Sequence, residues 1–214
     1  MDQKFLQQYF NQQTTFFESL ATNSVGYTNT IPALTANDLI QNINYYDDYD
    51  FDNDGQIDVN NTFIVDGAYY ANYFERITGQ ATGNKIRLLD ASNRFLKQVN
   101  FYNERGQVIQ TQNENHLNGQ DITFSTYDFV GNLTKMKYKH TTTQNYITDE
   151  VLTEEFFNYD HTGRLLSVYH KVGNQDKILL SQQNYDELGR LIEKNLHSTN
   201  EGLISCSLLI IIIM

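Results

Sequence analysis

The sequence predicts an all-β protein: antiparallel hairpin repeats forming a curved open sheet, preceded by a short N-terminal helix. Three observations carry that expectation. The first is a turn motif written four times, Tyr, then Asp or Asn, two variable residues, then Gly: Tyr102-Asn103-Glu104-Arg105-Gly106, Tyr127-Asp128-Phe129-Val130-Gly131, Tyr159-Asp160-His161-Thr162-Gly163 and Tyr185-Asp186-Glu187-Leu188-Gly189. The glycines lie 25, 32 and 26 residues apart, the period of a repeat architecture rather than of a catalytic domain. The second is period-two alternation of apolar and polar residues on both arms of each turn, the pattern of a half-buried strand. The third is composition: 15 Tyr and 13 Phe with a single Pro and no Trp in 214 residues, which suits strands and argues against a disordered chain.

The elements follow in chain order. Residues 1–40 read as a helix and an irregular lead-in, because Phe5, Leu6, Tyr9 and Phe10 recur at helical spacing and residues 11–38 are rich in Gln, Thr, Asn and Ser, with one helical turn expected near Thr35. Residues 41–92 read as a β-hairpin region with an acidic loop. Residues 93–201 hold the four repeats, with strands expected near 94–102 and 106–113, 121–128 and 131–140, 152–159 and 163–171, and 177–185 and 189–196. The 32-residue spacing implies a longer connection through Thr141 to Asp149, so that Asp149-Glu150 flank a loop and Glu154-Glu155 a strand start. Residues 202–214 break the pattern with an apolar tail, Leu208-Leu209-Ile210-Ile211-Ile212-Ile213, expected to mark a truncation or change of frame. From Leu203 that tail has 12 residues against the ~20 a helical span requires, so no membrane partner is expected.

The turn residues have a physical logic. An Asp or Asn oxygen can accept a backbone N–H two residues on and start a tight turn, and a Gly at positive φ closes it into a bulged hairpin. Asn103, Asp128, Asp160 and Asp186 take the first role, and Gly106, Gly131, Gly163 and Gly189 the second. Tyr102, Tyr127, Tyr159 and Tyr185 are expected to pack their rings over a neighbouring hairpin, not to act in catalysis.

These copies, especially Tyr159-Asp160-His161-Thr162-Gly163-Arg164-Leu165-Leu166 and Tyr185-Asp186-Glu187-Leu188-Gly189-Arg190-Leu191, resemble the YD repeats of bacterial Rhs proteins. Gly83-Asn84-Lys85-Ile86-Arg87-Leu88-Leu89, Phe101 to Gln110, Asn115-His116-Leu117-Asn118-Gly119 and Asn44-Tyr45-Tyr46-Asp47-Asp48-Tyr49-Asp50-Phe51 are similar to the region that leads into those repeats. The resemblance covers roughly residues 40–201. It implies a β-sheet that spirals into a hollow shell, often around a C-terminal toxin domain of the same chain. The implied partner is the remainder of a larger Rhs-type polypeptide or its enclosed toxin, and the implied location is secreted or at the cell surface. It brings no catalytic residues, because the family's cleavage and toxin regions have no counterpart here.

Charge and motif content narrow the function further. Fifteen Lys and Arg stand against 26 Asp and Glu, a net charge of −11, and such a field repels phosphate backbones, so no nucleic-acid partner is expected. The lone Cys206 cannot form an intrachain disulfide, and His116, His140, His161, His170 and His197 show no metal-ligand spacing. No nucleophile elbow or phosphate loop is present, and no enzyme is expected. The one constellation with chemical potential is Asp50-Phe51-Asp52-Asn53-Asp54-Gly55-Gln56-Ile57-Asp58. Carboxylates at alternate positions before a Gly match the first nine positions of a calcium loop, with Asp50, Asp52 and Asp54 as ligands, Gln56 through its carbonyl, and Asp58 direct or through water. Position twelve is Asn61 in place of the bidentate Glu. The competing reading is a hairpin tip with Asp54-Gly55 turning between strands. Two functions remain: a non-catalytic structural segment of an Rhs-like shell, or a cell-surface carbohydrate or adhesion module that uses calcium. Buried repeat tyrosines favour the first, and tyrosines lining an open groove favour the second.

Overall fold

A computed structural model describes residues 3–12, 17–28, 40–58, 61–90, 92, 94–144, 147–198 and 206–208. The expected turn near Thr35, and all of the apolar tail except 206–208, lie outside these residues. Helix α1 (Gln3–Asn11) precedes eleven strands: β1 (Asn42–Tyr46), β2 (Ala81–Arg87), β3 (Phe95–Tyr102), β4 (Val108–Glu114), β5 (Gln120–Tyr127), β6 (Leu133–Gln144), β7 (Ile147–Tyr159), β8 (Leu165–Val172), β9 (Ile178–Tyr185), β10 (Leu191–Ser198) and β11 (Cys206–Leu208). They form one open sheet in strict sequence order, and every neighbouring pair is antiparallel. The all-β open sheet read from the sequence is the architecture of the chain.

Each repeat turn carries a register shift, and the extra residue lies on the strand after the glycine: Ile109, Thr134, Leu166 and Ile192. The bulges face Phe101/Tyr102, Thr126/Tyr127, Asn158/Tyr159 and Asn184/Tyr185 across the pair. An extra residue there bends the strand and deepens its twist, so the bulges recur once per hairpin along the same edge. The turn glycines have φ of +71° (Gly106), +104° (Gly131), +82° (Gly163) and +80° (Gly189), the left-handed region where a Cβ is strained.

Two expectations are corrected. The long spacing between Gly131 and Gly163 is not a loop: β6 and β7 lengthen to 12 and 13 residues and pair without a break from Lys135↔Phe156 to Gln144↔Ile147. Asp149, Glu150, Glu154 and Glu155 therefore lie within β7, where Glu150 meets Lys139 and Glu154 meets Lys135. Lys135, Lys137 and Lys139 alternate along β6 and supply the opposite charge that lets carboxylates sit on a strand. The acidic loop is not a hairpin tip either, since no strand among the described residues lies between β1 and β2.

That region hides a fifth turn of the same kind. β1 ends on Tyr46, Asp47 follows it, and β2 starts two residues after Gly79. Tyr46 pairs with Ala81 across a register shift, as Tyr127 pairs with Leu133 and Tyr159 with Leu165. The Asp47 N–H donates to the Gln80 carbonyl at 3.2 Å, matching Asp128 to Asn132 at 2.9 Å and Asp160 to Arg164 at 2.9 Å. The Gly79 N–H donates to the Asp47 carboxylate, and Gly79 has φ +83°. Residues 48–78 are inserted where the other turns have two residues.

The insertion folds back over the sheet and makes the core. Phe51 is fully buried and stacks on Tyr45 with ring centroids 4.2 Å apart. Tyr49 stacks on Phe101 at 4.8 Å, and Phe63 and Tyr73 close the cluster with Ile43, Ile77, Val99 and Ile109. Gly83 lies beneath Phe51, where a Cβ would come within 2.6 Å of the ring. The buried amides of Gln110 and Gln112 receive the insertion's backbone: Gln110 bonds both N–H and C=O of Ile64, and Gln112 the C=O of Thr62. Buried polar side chains without such partners would be costly.

Candidate functional site

The four repeat turns are built alike. One side-chain oxygen gathers the backbone of its own turn: Asn103 accepts from the N–H of Arg105 and Gln107, both at 3.0 Å. Asp128 accepts from Val130, Gly131 and Asn132 at 2.8–2.9 Å. Asp160 and Asp186 do the same for Thr162 and Arg164, and for Leu188 and Arg190. The second side-chain atom selects the residue after the glycine. Asp oxygens take donors, Asn132 Nδ2 at 2.9 Å, Arg164 Nε at 2.6 Å and Arg190 Nε at 2.7 Å, whereas the Asn103 amide donates to Gln107 Oε1 at 2.7 Å. These bonds favour the ionised acids. Asp128 is held below the usual carboxylate range, first by the Asn132 amide, and Asp186 by the Arg190 N–H and guanidinium. At Asp160 burial opposes the shift, and the bonds from Arg164 and Thr162 prevail and lower it.

Consecutive turns are also tied to one another. The tyrosine hydroxyl donates to the carbonyl two residues past the preceding glycine: Tyr102 to Ala81 at 2.6 Å, Tyr127 to Val108 at 2.9 Å and Tyr185 to Leu165 at 2.9 Å. Tyr159, beside the lengthened β6–β7 hairpin, makes no such bond among the described residues. The residue after each glycine reaches the next glycine as well. Gln107 Nε2 donates to the Gly131 carbonyl at 3.4 Å. Arg164 lies over the Tyr185 ring at 4.9 Å, with Nη1 2.8 Å from where a Gly189 Cβ would stand. Arg105 lies over the Phe129 ring at 4.7 Å and donates to its carbonyl. Tyr102 is buried and the other three repeat tyrosines are half-buried. The tyrosines thus serve the joints between hairpins.

The acidic loop lies in the insertion. Asp50, Asp52 and Asp54 each place a carboxylate oxygen within 4.8 Å of the others'. Asp50 is locked by the N–H groups of Asp54 (3.1 Å) and Gly55 (2.8 Å), and Asp54 by that of Gln56 (2.9 Å). Asn53 and Gly55, at φ +55° and +91°, wrap the chain around them, and buried Phe51 anchors it from behind. Asp52 Oδ1 is enclosed and has no hydrogen-bond partner among the described residues, and burial, then the charges of Asp54 and Asp58, pushes the Asp52 carboxyl up. An oxygen set of this kind suits a hard cation. Asp58 is not brought into the group: its Oδ2 accepts from the Phe51 N–H at 3.2 Å and from Asn61 Nδ2 at 2.9 Å. Asn61, at the twelfth position, is buried and braces the loop through Tyr49 and Asp58. Gln56 is exposed at the rim. The histidines stay apart: His140 bonds Asp121, and His170 lies 3.7 Å from Glu155.

A shallow groove of about 310 Å³ runs where the insertion meets the Tyr102–Gly106 turn, lined by Tyr70, Asn72, Tyr73, Phe74, Asn103 and Arg105. Sequence reading missed it because its two walls are separated by some thirty residues and meet only through the insertion. No family model matches the chain, and no relative is found among curated proteins. Among the described residues no helix is long and apolar enough to cross a membrane.

Proposed function

We propose that this chain is a non-catalytic wall segment of an Rhs-like repeat shell, enclosing or displaying a domain carried elsewhere in a larger secreted or surface polypeptide. The observation that carries the reading is the ladder of tyrosine hydroxyls. Tyr102, Tyr127 and Tyr185 spend their hydroxyls on joining one hairpin to the next, as a wall requires, and not on presenting chemistry to solvent. The meander order and the bulges repeated along one edge support it, since both let a sheet grow hairpin by hairpin while bending in one sense. Electron microscopy of the whole polypeptide tests the reading. It predicts that this sheet runs without a break into its neighbours around a cavity; flanking regions folded as separate domains would defeat it.

A second reading, a surface carbohydrate or adhesion module assisted by calcium, is favoured by the convergence of Asp50, Asp52 and Asp54 and by the aromatic and amide groove beside the insertion. Its expected affinity for calcium is weak, ~10⁻⁴ to 10⁻³ M, the range of extracellular modules. On this reading millimolar calcium raises the melting temperature of the native chain and leaves Asp52→Asn unmoved. Equal behaviour of the two proteins removes calcium from the account, and a calcium-independent blank on a glycan array removes the module.

A further inference from the structure

Hairpin β6–β7 overhangs both of its neighbours. Pairing with β5 stops at Asp121↔His140 and pairing with β8 stops at Thr153↔Val172, yet β6 and β7 continue together to Gln144↔Ile147. The two outer edges of this overhang are finished differently. Along β6 the turn between β4 and β5 closes the edge. The Thr143 N–H donates to the Leu117 carbonyl at 3.2 Å, the Asn115 amide donates to the Thr141 carbonyl at 2.9 Å, and Gly119 lies so close to that carbonyl that no side chain would fit. Along β7 the last bond runs from the Gly173 N–H to the Leu152 carbonyl at 2.8 Å, and residues 147–151 beyond it are exposed. Strand edges are ordinarily blunted by Lys, Pro, a bulge or a covering loop, and among the described residues this one has none of them.

Backbone groups alternate sides along an antiparallel strand. The Leu152 carbonyl points outward, so Thr148 and Glu150 also point their N–H and C=O groups outward, and no strand receives them among the described residues. Side chains alternate between faces, which puts Ile147, Asp149 and Val151 on one face of the edge. There two exposed apolar residues flank a carboxylate with no partner among the described residues. On the other face Glu150 is already paired with Lys139 at 2.7 Å, so Asp149 is the group that selects charge. We propose that residues 147–151 of β7 are a docking edge for an extended segment of a protein partner that carries a Lys or Arg between two apolar residues in alternation, added as an antiparallel strand. Main-chain bonds to Thr148 and Glu150 hold the segment, its basic side chain faces Asp149, and its apolar side chains cover Ile147 and Val151. Asp149 then stands in a non-hydrogen-bonded pair, where facing side chains come closest. A second copy of this chain fits badly, because the pairing that uses Thr148 and Glu150 of both copies sets Asp149 opposite Asp149, and like charges so placed destabilise a strand pair.

The test titrates the whole chain with two capped peptides, Thr-Val-Thr-Lys-Thr-Val-Thr and the same peptide with Glu in place of Lys, and follows hydrogen exchange. In the free chain the outward amides of Thr148 and Glu150 should exchange freely, while those of Asp149 and Val151, which face β6, stay protected. The Lys peptide at saturation should slow both outward amides by about tenfold or more. It should bind about fivefold tighter than the Glu peptide, and Asp149→Lys should reverse that preference. Thr148→Pro should abolish binding and leave exchange in β3–β5 unchanged, because it removes an outward N–H and no bond to β6. Outward amides already protected in the free chain, equal binding of the two peptides, or binding indifferent to Thr148→Pro overturns the proposal. Protection of Thr148 and Glu150 that rises with protein concentration alone makes a second copy the occupant and overturns it as well.

Discussion

At the scale of single residues, the turns work by a matched pair: the Asp or Asn that opens the turn and the residue that follows its glycine. Asn103 with Gln107 and Asp128 with Asn132 are two solutions of the same problem, with donor and acceptor exchanged. Asp186→Asn keeps the oxygen that gathers the backbone but sets its amide against the Arg190 guanidinium, which has no acceptor, so the urea midpoint should fall. Adding Arg190→Gln rebuilds the Asn103–Gln107 pair and should restore most of the loss; a double variant as weak as the single would refute the pairing. The acids also fix the pH response. Asp128, Asp160 and Asp186 have folded-state pKa values below the ordinary carboxylate value of 3.8. Their stabilisation is therefore fully present above that value and is lost as pH falls through the folded-state values. Melting temperature should fall steeply below about pH 4, and Asp160→Asn should flatten the fall.

At the scale of elements, what was legible in the sequence depended on contiguity. The four repeat turns could be read because all five positions of each lie side by side, and the alternation on both arms placed β3, β4, β5, β8, β9 and β10 within a few residues of where they stand. The fifth turn could not, since Asp47 and Gly79 meet only after residues 48–78 have folded away. The distal ends of β6 and β7 read as a connection because Thr141 to Asn145 are polar at every position, and only pairing with an equally long partner makes such a segment a strand. In the acidic loop the convergence of Asp50, Asp52 and Asp54 was legible from spacing, whereas the departure of Asp58 was not, because it depends on the buried Asn61 and the Phe51 N–H. The fifth turn can be checked directly. Gly79→Ala should cost about 1–2 kcal/mol, the usual cost of a side chain in the left-handed region, and as much as Gly131→Ala. Gly67→Ala, at an insertion position with open space and no positive φ, should be near neutral. Chemical denaturation ranks the three, and a neutral Gly79→Ala would mean that β1 and β2 are joined some other way.

At the scale of the whole molecule, the sheet has two regimes. From β1 to β5 the insertion covers one face with an aromatic core. From β6 onward that face is carried by half-buried lysines and carboxylates, Lys135 with Glu154 and Lys171 with Glu154, and by the more exposed pair Lys139 with Glu150, with Phe156 beneath Lys135 and Lys177. Such pairs add little stability singly, so the second half depends on its neighbours, as repeats in an array do. The joints between hairpins, more than any one hairpin, then decide whether the molecule is one wall or a string of turns.

Hydrogen exchange on Tyr127→Phe asks that question most directly. The substitution deletes one hydroxyl, whose bond to the Val108 carbonyl crosses from one hairpin to another and has a net value of ~0.5–1.5 kcal/mol. A continuous wall predicts faster exchange on both sides of the joint, in β3 and β4 as well as in β5 and β6. Faster exchange confined to the β5–β6 hairpin that carries the substitution, with β3 and β4 unchanged, would contradict it.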